Sequence, residues 1–439
     1  MNVDQIIAAR WIVPVMPRSA MLEHQALVVD GGRIVDLLPQ AEAQQKYVAK
    51  RTERLDSHIL IPGLINLHTH AAMSLMRGLA DDLSLMRWLN EHIWPAETRH
   101  VSEAFVGDGT LLACAEMLRG GITCFSDMYF FPSAAAAAIE KAGIRAMLGL
   151  VVLDFPTAYA TDADDYLNKG FAVRDALREN TDGRITTCLA PHAPYTVSDR
   201  SFEKILTFAE QLDLNIHTHL HETLDEIVKS EAEFGLRPLQ RFANLGLVGP
   251  NLIAAHGVHL TISEIELLAE RGCHIAHCPA SNLKLASGIA PIKALLAQGV
   301  NVGFGTDGAA SNNALDIFAE MRLAALLAKG VSGDAEALPA WQALEMATIN
   351  AAKALGLEHE IGSIEIGKRA DLTAIDMSSV ETTPCYDPLS HLIYAAGREQ
   401  VTHVWVDGML LLEQRMLTKI DMNEIKEKAK LWQNKLQAR

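Results

Sequence analysis

At 439 residues, with 49% hydrophobic and 21% charged content, the sequence has the composition of a globular protein with a large core, and its length matches a barrel plus one smaller unit. A formal net charge of -16 with no offsetting basic stripe argues against a phosphate backbone as partner, so no nucleic acid is expected, while a free nucleoside remains compatible. No apolar run approaches a membrane span, no basic-then-apolar leader opens the chain, and the six cysteines follow no disulfide-framework spacing; a cytoplasmic protein without membrane contact is expected.

Residues 1 to about 60 read as short β-strands. Ile6–Val15 and Ala26–Leu38 are β-rich, and Asp30-Gly31-Gly32 interrupts the second with a hairpin signal. Pro62-Gly63 then breaks an apolar run, and a new strand, Leu64–His70, ends in two histidines. From there to about Asn350, short apolar strands alternate with longer helix-prone segments. The further strands are Gly121–Asp127, Ala146–Leu153, Ile185–Pro191, Leu214–His219, Leu252–His256, His274–Cys278 and Val300–Thr306. Helices are expected at Glu103–Arg119, Ala134–Ala142, Asp199–Gln211, Ser263–Arg271 and Ile292–Gln298. Eight alternating units predict an α/β fold, a (β/α)8 TIM barrel.

From about 360 the β texture returns. Gly362–Leu372 leads into Thr373–Ile375, and Val401–Leu412 is split by Asp407-Gly408, a second hairpin signal. The expected organisation is a barrel over 61–359 and a small β-sandwich domain built from both chain ends, 1–60 and 360–422. A C-terminal helical segment, 423–439, contains the charged amphipathic stretch Asn423–Leu436.

Barrel active sites lie at the C-terminal ends of the strands. His68 and His70 share one face of their strand, so two imidazoles point the same way and form half of a transition-metal site. Alone, such a pair is as well explained by two polar residues closing a strand. Downstream, however, strand ends carry His192, then His217 and His219 followed by Glu222, then His256, then Asp307. Five of eight strand ends bearing a histidine or carboxylate is more than packing requires. Cys273-His274-Ile275-Ala276-His277-Cys278 has the composition of a zinc knuckle, but its spacing is too compact for four ligands to converge from one strand.

These motifs, Pro62-Gly63-Leu-Ile-Asn-Leu-His68-Thr-His70, His219-Leu-His-Glu222, His277-Cys-Pro-Ala-Ser281-Asn282 and Gly305-Thr-Asp307, resemble the amidohydrolase superfamily over essentially the whole chain. His277–Pro291 and Gly362–Leu372 resemble one branch of it, which contains 5-methylthioadenosine/S-adenosylhomocysteine deaminases, guanine deaminases and triazine hydrolases. The resemblance implies His68, His70, His219 and Asp307 as metal ligands, with His217 lying deeper as a hydrogen-bonded core residue. Zn²⁺ suits three imidazoles and a carboxylate, although other divalent metals are accepted by such donors. His192 stands where two-metal members have a bridging lysine, which implies one ion per chain.

By the same resemblance Glu222 carries a proton to the substrate ring and contacts it, His256 orients water, and Asp307 is both ligand and base. Trp88, Glu97 and His192 are implied substrate contacts, Glu97 toward ribose hydroxyls. Gly149-Leu150-Val151 occupies the place where some members have an arginine for an amino-acid tail. The implied activity is zinc-dependent hydrolytic deamination of 5-methylthioadenosine or S-adenosylhomocysteine, with adenosine also considered, by a homo-oligomer acting on a small nucleoside. Guanine deamination, triazine hydrolysis and, from another class, a non-catalytic barrel scaffold remain open at this point.

Overall fold

The computed structural model describes residues 1–180 and 182–438. The chain opens with β1 (Asn2–Ile12), β2 (Leu22–Asp30), β3 (Arg33–Pro39) and a long β4 (Val48–Pro62). Alternation explains their two faces. Ile7, Ala9, Leu27 and Val29 bury against one cluster, while Ile6, Ala8, Ala26 and Val28 bury against another on the opposite side.

The parallel strands β5 (Leu64–Thr69), β6 (Ile122–Tyr129), β7 (Arg145–Val152), β8 (Ile185–Pro191), β9 (Ile216–Leu220), β10 (Leu252–His256), β11 (His274–His277) and β12 (Asn301–Phe304) follow one another around the barrel in sequence order. Ile65, Leu67, Cys124, Met147, Cys188, Ile253, Ala255 and Ala276 fill its interior. Burial on both faces is why these strands read as continuous apolar runs rather than alternating ones. Between the last and first strands, Asn66 Nδ2 donates to Thr306 Oγ1 at 2.7 Å and the Thr306 amide donates to Asn66 Oδ1 at 3.0 Å. The Asp307 amide donates to the His68 carbonyl at 2.9 Å, so the closure itself sets two site residues side by side.

The chain then returns to the first sheet with β13 (Leu372–Asp376), β14 (Val401–Val406), β15 (Met409–Glu413) and β16 (Met416–Leu417). The order is β16-β15-β14-β13-β4-β1-β2-β3, with β4 and β13 antiparallel at the centre. The sheet folds over so that Ile7, Leu27 and Ile34 share a core with Leu372, Ala374 and Trp405. The two hairpin turns seen in the sequence meet there. Gly32 has φ +76, and a Cβ on it would lie 2.8 Å from the Asp407 carbonyl oxygen, so only glycine suits both the turn and the approach.

The helices fall at the expected places, with ends shifted by a residue or two. Several helices had no counterpart in the sequence reading, among them the polar helix Ala163–Asn180, the helices Leu224–Phe234 and Ile317–Ser332, and a helical segment from Leu85 to His100 containing a π-turn at Leu89–Ile93. No described helix is long and apolar enough to cross a membrane.

Arg145, at the start of β7, ties barrel to terminal sheet. Its guanidinium donates to both Asp371 oxygens, at 2.9 and 3.2 Å, and to Asp407 at 2.8 Å. Arg145 and Asp371 are almost wholly buried, so removing one partner leaves an uncompensated charge in the core. Arg145→Met is therefore expected to cost about 3–5 kcal/mol, read as a lower denaturant midpoint; an unchanged midpoint would mean that the cluster contributes nothing net.

Candidate active site

The upper rim of the barrel gathers the histidines and carboxylates. His68 and His70 come from the end of β5, His219 from β9, and Asp307 from the segment after β12. One donor atom from each of the four lies within 4.8 Å of the others, and among the described residues no other group of metal-type donors converges in this way. His70 Nε2 is 3.2 Å and His68 Nε2 3.5 Å from Asp307 Oδ1, and His219 Nε2 is 3.3 Å from His70 Nε2.

The far side of each ring is occupied. His70 Nδ1 donates to the Met128 carbonyl at 2.6 Å and His219 Nδ1 to the His192 carbonyl at 2.6 Å. His68 Nδ1 meets His217 Nε2 at 3.0 Å, and His217 Nδ1 in turn meets Ser126 Oγ at 3.1 Å. Such bonds fix the tautomer and leave Nε2 with its lone pair facing the centre. His68 Nε2 is buried and has no hydrogen-bond partner, which is unfavourable for a polar atom unless a cation takes its lone pair. Three imidazole nitrogens and one carboxylate oxygen are a donor set for a divalent ion of the zinc kind. His217, which alternation alone could not separate from His219, lies beneath the cluster and supports His68.

Electrostatics agree with that use. Burial pushes His68 down to about 4, so it stays neutral. Burial also works against an ionised Asp307, but the His68 and His70 rings beside it hold its carboxyl well below the ordinary range. His70 is lifted to about 9: burial works against its charged form, and the neighbouring Asp307 outweighs burial. Asp307 Oδ2 accepts from Ser281 Oγ at 2.6 Å and Ser311 Oγ at 2.7 Å, and Oδ1 from the Gly308 amide at 2.7 Å. The two serines orient Asp307.

Glu222 lies just past β9, 4% exposed. The Glu226 carboxylate accepts the backbone amides of His221 and Glu222, at 3.0 and 2.9 Å, and so braces the turn that presents Glu222. Glu222 Oε1 accepts from Ser287 Oγ at 3.4 Å, and Oε2 lies 3.8 Å from His256 Nε2. Burial raises the Glu222 carboxyl, keeping a proton on it at higher pH than in an exposed acid. His256 Nδ1 is 2.8 Å from Asn282 Oδ1, which directs its Nε2 into the site.

Above these groups opens a cavity of about 610 Å³. His70, His192, His219, Glu222, His256 and Asp307 line its base, and Trp88, Glu97 and Tyr129 its walls, with apolar side chains elsewhere. The structure thus brings every sequence-predicted site residue to one place, His68 lying just behind the lining. His192 contributes through its carbonyl to His219, and its ring, 3.0 Å from Thr196 Oγ1, faces the cavity. Trp88 is buried in the wall. Glu97 sits on the helix Trp94–His100 and accepts a hydrogen bond from Tyr129 at 2.7 Å. Tyr129, Glu226 and Ser311 were not anticipated. Ser281 and Asn282 were noted only as part of a motif. The Cys273–Cys278 segment holds no such cluster: His274 Nε2 bonds the Pro250 carbonyl, and both cysteines are buried.

The sequence profile of the amidohydrolase family matches residues 59–411. A 5-methylthioadenosine/S-adenosylhomocysteine deaminase of Saccharophagus degradans is 49% identical over 435 residues, covering 99% of this chain and 97% of its own. A 5'-deoxyadenosine deaminase of Methanosarcina mazei is 40% identical and covers 99% of both chains. A zinc-bound adenosine deaminase structure from Xanthomonas campestris is similar with a TM-score of 0.97 at 48% identity, covering 99% of each chain.

Proposed function

Since the chain belongs to the amidohydrolase family, we propose that it is a zinc-dependent hydrolase that removes the 6-amino group of adenosine-type nucleosides. Its substrates are 5-methylthioadenosine, S-adenosylhomocysteine and related 5′-modified adenosines, and its products are the inosyl compound and ammonia. The observation that carries this reading is the placing of Glu222 beside the four-donor cluster at the base of a cavity whose wall holds Glu97.

His68, His70, His219 and Asp307 would hold a single Zn²⁺. A zinc ion there would supply Lewis acidity, bringing the pKa of water from about 15.7 toward ~7. Asp307, ionised and oriented by Ser281 and Ser311, accepts the proton that water gives up. His256, aimed by Asn282, orients the water toward C6. Glu222 keeps its proton because it is buried, and delivers it to the purine ring nitrogen, which makes C6 electrophilic. Oxygen adds at C6, the amine takes the proton held on Asp307 and leaves as ammonia, and the proton of the C6 hydroxyl passes back to Glu222 as the carbonyl forms. Trp88 and His192 wall the base, and Glu97 accepts from the ribose diol.

A screen for ammonia release from 5′-thioadenosines, adenosine, 2′-deoxyadenosine, adenine, guanine and triazines tests the proposal. The 5′-thioribonucleosides should lead it; guanine or a triazine leading would overturn it. Glu97 gives a sharper check. Losing hydrogen bonds to a charged group costs on the order of 1.5–3 kcal/mol, or roughly 10- to 150-fold. The ribose-to-deoxyribose ratio of kcat/KM should therefore be large, and Glu97→Ala should erase most of it with zinc still bound. If Glu97 serves only the helix terminus it occupies, that ratio will not move.

A further inference from the structure

Tyr129 is the last residue of β6 and is 6% exposed. Its ring lies 6.5 Å from that of His70, and its hydroxyl donates to Glu97 Oε1 at 2.7 Å. The preceding residue, Met128, supplies the carbonyl that accepts from His70 Nδ1. Two consecutive residues of one barrel strand therefore fix two different parts of the site. One holds a metal-type ligand, and the other holds the carboxylate on the cavity wall.

Glu97 needs such support. It stands on a seven-residue helix that belongs to the excursion after β5, not to the barrel framework. Among the described residues its carboxylate makes no other hydrogen bond, so Oε2 is left as the acceptor available to the cavity. A glutamate with unrestrained torsions has several rotamers, and each one lost on binding weakens the complex.

We infer that Tyr129 is a positioning residue for ribose recognition: by holding Oε1 it aims Oε2 of Glu97 at the 2′,3′-diol, at a reach set by the same strand end that orients His70. The inference rests on the nucleoside reading above. It assigns to a tyrosine that looks like wall packing the task of setting how far the sugar sits from the reacting C6.

The charged and titratable groups facing Glu97 are Tyr129 from β6, His70 from β5, and Tyr166 from the helix Ala163–Asn180. Burial lifts the Glu97 carboxyl to about 7, and the Tyr129 hydrogen bond and His70 oppose that rise. Ionised Glu97 is the better acceptor for two hydroxyls, so ribonucleoside affinity is present above that range and fades as pH falls through it. Removing the tyrosine hydroxyl should move that acid limb to higher pH.

The test is Tyr129→Phe in the zinc-loaded enzyme, with kcat and KM followed against pH for 5-methylthioadenosine and its 2′-deoxy analogue. KM for the ribonucleoside should rise roughly 3- to 10-fold, more than kcat falls, with the acid limb displaced upward and the deoxy KM little changed. Glu97→Gln, which has no titrating carboxyl, should flatten that limb. Equal losses on both substrates with the limb unmoved would overturn the inference and reduce Tyr129 to packing beside His70. If the parent enzyme releases no ammonia from either nucleoside, the functional reading falls, and calorimetry with inosine and 2′-deoxyinosine still decides the inference. A Tyr129-dependent preference for inosine upholds it, and equal binding of the two, or none, overturns it.

Discussion

Glu222→Gln should lower kcat by about 10²- to 10⁴-fold, the range for loss of a positioned general acid, and leave the metal content unchanged. Glutamine keeps the shape and the hydrogen bond from Ser287 but has no proton to deliver to a ring nitrogen. Burial raises the native carboxyl, so the acid form is what the substitution removes. Glu222 is also outside the four-donor cluster, so zinc should stay. Steady-state kinetics paired with elemental analysis reads both quantities. A variant that loses its metal together with its activity would place Glu222 among the groups that hold the ion.

Removing a ligand should be more severe. His219→Ala deletes one of the converging donors and opens the wall shared with His192, so activity should fall below detection with zinc lost on dialysis. Its neighbour on the same strand face makes the control. His217 lies outside the four-donor cluster but orients His68 through Nε2. Loss of an outer partner of this kind typically costs about 10- to 100-fold in metal affinity or activity, so His217→Ala should be impaired yet active at high zinc. If the two variants behaved in reverse, His217 would be the ligand. An active His219→Ala enzyme would dismiss the site as drawn.

His68 and His70 stand out in the sequence because alternation puts both on one strand face, though it is the family resemblance that implies them as ligands. The eight strands were legible for a related reason: buried on both faces, they stand out as short apolar runs between helical stretches. What escaped notice lacks such a signal. Tyr129 ends an apolar strand, where an aromatic ring ordinarily only packs, and its hydroxyl finds Glu97, 32 positions earlier in the chain. Glu226 reads as a surface charge in a helix's first turn, and only the fold shows its oxygens under the His221 and Glu222 amides. The helix Ala163–Asn180 is rich in acidic and basic residues, and its apolar stripe was too thin to announce it.

The pairing of β4 with β13 has a consequence for how the protein is made. Leu60 lies opposite Ala374, and Ile59 opposite Ile375. At roughly 5–20 residues per second, a ribosome delivers β13 about 15–60 s after β4. β1 can dock early on one edge of β4, but the other edge, Ile59-Leu60-Ile61, must wait through synthesis of the entire barrel. An unpaired apolar edge is a template for wrong partners. Lys50, Arg51 and Arg54 charge the earlier half of the strand, and Pro62 cannot donate to a foreign ladder, so the unguarded stretch on the nascent chain is only a few residues long.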